Sequence, residues 1–108
     1  MADVTYEKMD PEQKRIWVEA LRSGVFQQGM RSLFDFSTGR FCCLGVNLKV
    51  VHGFAPATNE HDACFPALPE GHWSDKVAID HNAIQELIKM NDNGKSFNEI
   101  AGWIEEHL

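Results

Sequence analysis

The C-terminal third of the sequence carries two helix-start signals separated by a turn, and this pattern limits the possible folds more than any other. Ser96 stands three residues before Glu99, which is the spacing of a capping box, and an apolar stripe at helical spacing follows it. Further upstream, Asp80 or Asn82 can cap a helix that ends at the Asn- and Gly-rich turn of residues 91–94. We therefore predict two consecutive helices that form an antiparallel or angled pair.

An N-terminal segment also predicts a helix, which runs from residue 11 to about residue 23. Asp10 can cap this helix, Pro11 suits its first position, and Gly24 can end it. Trp17 and Leu21 fall on one face at helical spacing, so we expect that face to be buried.

The middle of the chain predicts a short β-hairpin followed by a buried helix. Phe34 and Phe36 alternate around Asp35, and the turn residues Ser-Thr-Gly follow at positions 37–39. Two strands alone are marginally stable in water, so the hairpin must pack against the helices. The apolar candidates for this contact are Leu33, Phe34, Phe36 and Phe41. The mostly apolar run at residues 42–52 is long enough to favour a helix over a strand.

Residues 54–73 predict a long irregular loop, because they contain three prolines and show no helical or strand periodicity. Loops of this length are uncommon in compact domains and are usually functional or mobile. A chain of 108 residues has the size of one domain. We therefore predict a single α+β domain over residues 1–108 that is mostly helical. Its elements are an N-terminal helix, a short β-hairpin, a central helix, the loop, and a C-terminal helical hairpin.

The charges are unevenly distributed along the chain. Residues 1–54 contain seven Lys and Arg against six Asp and Glu, whereas residues 55–108 contain three against ten. An acidic surface repels phosphate backbones and attracts basic ones, so we expect a partner with a basic surface and no direct binding of nucleic acid.

No apolar run is long enough for a membrane-spanning helix, and the first residues lack the features of a secretory signal. We therefore expect no membrane partner. The odd number of cysteines, three, fits reduced thiols. Together these features predict a cytoplasmic protein.

Cysteines and histidines offer two chemical sites. Two cysteines and two histidines could hold zinc in a tetrahedral set, and these candidates are Cys43, His52, His61 and Cys64. Their spacing lacks the close cysteine pair of structural zinc sites, so buried, metal-free cysteines are the favoured interpretation and we predict no cofactor.

The second site is a cysteine nucleophile. Cys42 or Cys43 stands at the start of the predicted central helix, where the helix dipole lowers the pKa of a thiol. A histidine is then needed as the base, and folding could supply His61, His72 or His81. The apolar neighbours of both cysteines favour burial instead.

The candidate residues for binding a partner lie in the predicted loop or next to it. Trp73 follows the proline-rich stretch and is our candidate for an exposed aromatic anchor. The acidic candidates for contact with a partner are Glu60, Asp62, Glu70 and Asp75. A run of exposed carboxylates most often only solvates a surface, and that alternative stays open.

Three segments of the chain together resemble a family of small bacteriophage and prophage proteins of uncharacterised activity. The segments are WVEALRSG at residues 17–24, RFCCLGV at residues 40–46 and MNDNGKSFNEIA at residues 90–101. The resemblance implies a phage accessory protein in the cytoplasm of a bacterial host, and it supplies no catalytic residue.

The functional hypothesis combines this resemblance with the acidic charge. We predict a protein that binds a host or phage protein, and one form of this hypothesis is an antagonist of a host-defence enzyme. The alternative from another class is a small cysteine-dependent or zinc-binding enzyme.

Overall fold

The computed structural model describes residues 5–68 and 73–108, and within them it contains five helices and one two-stranded antiparallel sheet. The helices are α1 (Pro11–Arg22), α2 (Cys43–Val50), α3 (Trp73–Lys76), α4 (His81–Asp92) and α5 (Phe97–His107), and the strands are β1 (Phe34–Asp35) and β2 (Arg40–Phe41). The predicted fold class, α+β and mostly helical, is confirmed. No helix in these described ranges is long and apolar enough to cross a membrane.

The predicted caps of α1 are present. The Asp10 carboxylate accepts a hydrogen bond from the Gln13 amide at 2.9 Å, and Pro11 occupies the first turn. Gly24 follows the helix with a φ of 76°, a left-handed conformation in which glycine has no steric cost. The buried face of α1 includes Trp17, which is completely inaccessible to solvent.

Local capping signals also fix α4 and α5. The Asp80 carboxylate accepts from the Asn82 amide at 2.7 Å, and Ser96 and Glu99 form the predicted capping box. Helix α5 packs more extensively against α1 than against α4, so the C-terminal helical pair is only part of a larger helical layer. An ion pair between Arg22 and Glu105 joins α1 and α5 at the surface.

Helix α2 is the centre of the core, because six of its eight residues are buried. Its glycine, Gly45, lies directly against the backbone of Leu33, which precedes β1. In the hairpin, Phe34 pairs with Phe41 and Asp35 pairs with Arg40. Phe41 is buried in the core, so it fixes the hairpin on the helices as predicted.

Residues 27–29 extend the small sheet on the far side of β2. The Phe41 amide donates to the Gln27 carbonyl at 2.9 Å, and the Gly29 amide donates to the Phe41 carbonyl at 2.7 Å. The Asn91 side chain at the end of α4 donates to the Gly29 carbonyl at 2.7 Å and accepts from the Cys43 amide at 3.2 Å. One buried amide therefore holds this segment and α2 in place.

The predicted loop is irregular over residues 54–68, which contain no helix or strand. The buried side chain of Phe65 anchors it, and the Ala57 amide closes it by donating to the Cys64 carbonyl at 2.9 Å. The prediction of an irregular segment up to residue 73 was wrong at its end, because Trp73 begins the single-turn helix α3. A helix of four residues is too short to show a period in the sequence.

Candidate functional site

A cleft of about 270 Å³ opens between the hairpin and the loop that follows α2. We call it the acidic cleft, and its main residues are Phe34, Asp35, Phe36, Glu60 and Asp62. Two of the acidic residues predicted for partner contact, Glu60 and Asp62, thus lie together, opposite a carboxylate that the sequence did not single out.

The hairpin turn holds Asp35 in its charged form. The Ser37 hydroxyl and the Ser37 amide donate to one carboxylate oxygen of Asp35, at 2.7 and 3.0 Å. These hydrogen bonds keep the pKa of the Asp35 carboxyl below its usual value, with the hydroxyl as the largest cause. The carboxylate is therefore anionic at neutral pH.

The loop wall of the cleft is organised by Asn59. Its side-chain amide donates to the Asp62 carboxylate at 2.9 Å, and its side-chain carbonyl accepts from the His61 amide at 2.9 Å. These bonds shape the short segment that carries Glu60 and Asp62, and both side chains remain exposed to solvent. The loop therefore presents its carboxylates from an ordered turn.

Phe36 adds an exposed aromatic ring to the same cleft. It was one of four candidates for packing the hairpin against the helices, and it is 44% exposed. The reason is local, because the Gly39 amide donates to the Asp35 carbonyl at 2.7 Å and this turn carries Phe36 beyond the end of β1. An aromatic face beside carboxylates suits a lysine or arginine side chain, through cation–π contact and charge pairing.

The vicinal cysteines are buried at the start of α2. Burial raises the pKa of the Cys42 thiol to about 11 and raises that of Cys43 well above its usual value. The amides of Leu44 and Gly45 act in the opposite direction on Cys42, but their effect is smaller. The burial that the sequence favoured for both cysteines is therefore present. The lowered thiol pKa that the nucleophile alternative needs is not found, since desolvation outweighs the backbone amides.

The four candidate zinc ligands lie in different environments. The Cys43 thiol donates to the Leu87 carbonyl at 3.8 Å, and His52 Nε2 donates to the Val77 carbonyl at 3.2 Å. His61 extends into solvent, and Cys64 lines the acidic cleft. Across residues 5–68 and 73–108, no three Cys, His, Asp or Glu side chains form a group that could hold a metal ion.

Trp73 is not an exposed anchor. It is half-buried, packs against the core, and lines a second cleft of about 220 Å³ together with Cys42, Cys43 and Asp92. The loop prediction did not anticipate that Trp73 begins α3 and packs against the core.

Asp75 lines a third cleft, with Asp80 and His81, and does not join the acidic cleft. Glu70 and His72 lie outside the residues that the structure describes.

The thiol geometry predicts a clear order of reactivity. With iodoacetamide at neutral pH, Cys64 should be alkylated first, because it is partly exposed, and Cys42 and Cys43 should lag by at least about tenfold. Since burial raises the pKa of Cys42 to about 11, its labelling rate should keep rising as the pH increases towards that value. Peptide mapping by mass spectrometry gives each rate, and the unfolded chain in urea is the control in which the differences disappear. Fast labelling of either vicinal cysteine in the native protein would contradict this assignment.

The described residues thus form a mostly helical fold with an acidic cleft between the hairpin and the loop. Residues 9–61, a little less than half of the chain, match the model of a family described as a domain of unknown function (DUF8296). The matched stretch includes α1, the hairpin and α2. No curated protein and no solved structure matches the chain significantly.

Proposed function

We propose that this chain is a phage-encoded accessory protein that binds another protein inside the bacterial host through the acidic cleft. The observation that carries the proposal is the convergence of three carboxylates and one exposed aromatic ring in one cleft. The carboxylates come from two segments that are more than twenty residues apart, Asp35 on the hairpin and Glu60 with Asp62 on the loop. The phage origin rests on the resemblance of the three segments quoted above.

Charge complementarity indicates the kind of partner. The cleft presents negative charge, so a lysine- or arginine-rich surface gains attraction during the encounter and correct register after it. A nucleic-acid-binding protein has such a surface, and carboxylates can occupy the positions where phosphates bind. In this form of the proposal the protein is an antagonist of a host-defence enzyme.

The alternative, a small cysteine-dependent or zinc-binding enzyme, gains no support from the site geometry. The thiols at the helix start have raised pKa values, so they are protonated at neutral pH and poor nucleophiles. Among residues 5–68 and 73–108, no specific contact favours this class over protein binding.

Neutralising the loop carboxylates should weaken binding. We expect the variant E60Q/D62N to retain at most about one tenth of the partner that the wild type captures from bacterial lysate, because two charge pairs are lost. The captured amount should also fall as salt is added, since ions screen exposed charges. Quantitative mass spectrometry of the eluates measures both effects.

A matched control variant also removes two negative charges, but at positions outside the acidic cleft. The variant E86Q/E106Q carries its changes on α4 and α5, away from the acidic cleft, and should capture the partner as the wild type does. The proposal is wrong if neither wild type nor control captures a partner at any salt concentration. It is equally wrong if both double variants capture the same amount.

A further inference from the structure

Strand β1 lies beside the acidic cleft. In the small sheet β2 lies in the middle, with β1 on one side and residues 27–29 bonded to Phe41 on the other. Within the described residues, no strand pairs with the outer side of β1. Strand β1 is therefore an edge strand, and both of its residues, Phe34 and Asp35, line the cleft.

The pairing register decides which backbone groups of β1 point outward. The Cys42 amide donates to the Leu33 carbonyl at 3.2 Å, so Leu33 and Cys42 are a hydrogen-bonded pair. Bonded and non-bonded pairs alternate in an antiparallel ladder, so the next pair, Phe34 with Phe41, is non-bonded. The backbone groups of these two residues point away from each other. Phe41 shows the consequence, because it bonds residues 27–29 on the far side of β2.

We propose that an extended segment of the partner protein, which carries lysine or arginine, adds as a strand to the outer edge of β1. This binding mode rests on the proposed function. The Phe34 amide donates to this segment and the Phe34 carbonyl accepts from it. The added segment would bond to both backbone groups of Phe34 on the cleft side. Residues 27–29 bond to both backbone groups of Phe41 in the same way on the far side of the sheet. Unpaired edge groups are a template for such pairing.

The charges around the edge select the segment that binds. Side chains of an extended strand alternate between its two faces, so basic residues at every second position all lie on one face. Asp35 stands on the hairpin wall, and Glu60 and Asp62 stand on the loop wall of the same cleft. A strand with alternating basic residues thus matches the cleft in both backbone and charge.

A peptide titration tests this mode with the full chain. The probe is an acetylated and amidated heptapeptide of alternating lysine and valine, added to ¹⁵N-labelled protein. We expect a saturable shift of the Phe34 amide resonance, and we expect E60Q/D62N to bind more weakly than E86Q/E106Q. The same peptide with glutamate in place of lysine should cause no saturable shift.

N-methylation of the peptide tests the backbone bonds without changing the protein. Two further peptides carry N-methyl groups on every valine or on every lysine, which removes donors from one edge of the strand or from the other. At least one of them should bind about fivefold more weakly than the parent, because a hydrogen bond to Phe34 is lost.

The outcomes separate this proposal from the proposed function. If both methylated peptides bind as tightly as the parent, strand addition is wrong, while cleft binding stands as long as the glutamate peptide still fails to bind. If the lysine peptide gives no saturable shift at millimolar concentration, strand addition is also wrong. The lysate capture by the two double variants then decides the role of the cleft independently.

Discussion

Replacing Gly45 by alanine should cost at least about 3 kcal/mol of unfolding free energy, and the native hairpin position should be lost. A Cβ atom at this position would lie 1.8 Å from the Leu33 carbonyl oxygen and 2.8 Å from the Leu33 carbonyl carbon. Both are backbone atoms, and the same carbonyl oxygen accepts from the Cys42 amide, so no side-chain rotation relieves the contact. The hairpin and α2 must separate, which exposes Phe41. Urea denaturation followed by tryptophan fluorescence measures the loss.

Gly102 provides the matched control for this substitution. It lies within α5, and a Cβ atom there would meet nothing within 4 Å. Alanine has a higher helix propensity than glycine, so G102A should stabilise the protein by about 0.5 to 1 kcal/mol. If helix propensity alone decided stability, both G45A and G102A would stabilise the protein. A stable G45A protein with an unchanged spectrum would show that the close approach of α2 to the hairpin is wrong.

The starts of α1 and α5 were predictable because their causes are local. Asp10 bonds an amide three residues away, and Ser96 and Glu99 bond each other across the same interval. Such signals need no knowledge of the rest of the fold. The hairpin was predictable for the same reason, since its turn residues lie between the two strands. Packing was harder, because the larger contact of α5 is with α1, at the opposite end of the chain.

The acidic cleft could be predicted only in part, because it forms between distant segments. Glu60 and Asp62 were candidates by their charge, but nothing in the sequence places them opposite Asp35. The loop has no periodicity, so its path depends on buried anchors such as Phe65. The hydrogen bonds from Ser37 to Asp35 could have been predicted from the sequence, since an Asp side chain in a turn typically bonds the backbone two residues further on.

Two buried asparagines should respond in opposite ways to replacement by leucine. Asn91 is 1% exposed, and its side chain accepts from the Cys43 amide and the Gln28 side chain and donates to the Gly29 carbonyl. N91L leaves the buried Cys43 amide and the part-buried Gly29 carbonyl without this partner. Each such group costs about 1 to 3 kcal/mol, so the total loss should be about 3 kcal/mol or more.

Asn47 is the matched control, because it is also fully buried but neither side-chain polar atom has a hydrogen-bond partner among the described residues. Leucine has the same number and branching of side-chain heavy atoms and removes two polar atoms that are costly to bury, so N47L should leave stability unchanged or raise it by up to about 2 kcal/mol. Denaturant midpoints at constant slope measure both variants. Equal destabilisation by the two would contradict the assigned network. Asn91 also holds residues 27–29, and these residues bond Phe41 in β2. N91L should therefore loosen the small sheet and weaken capture of the partner at the acidic cleft. N47L should leave this capture unchanged.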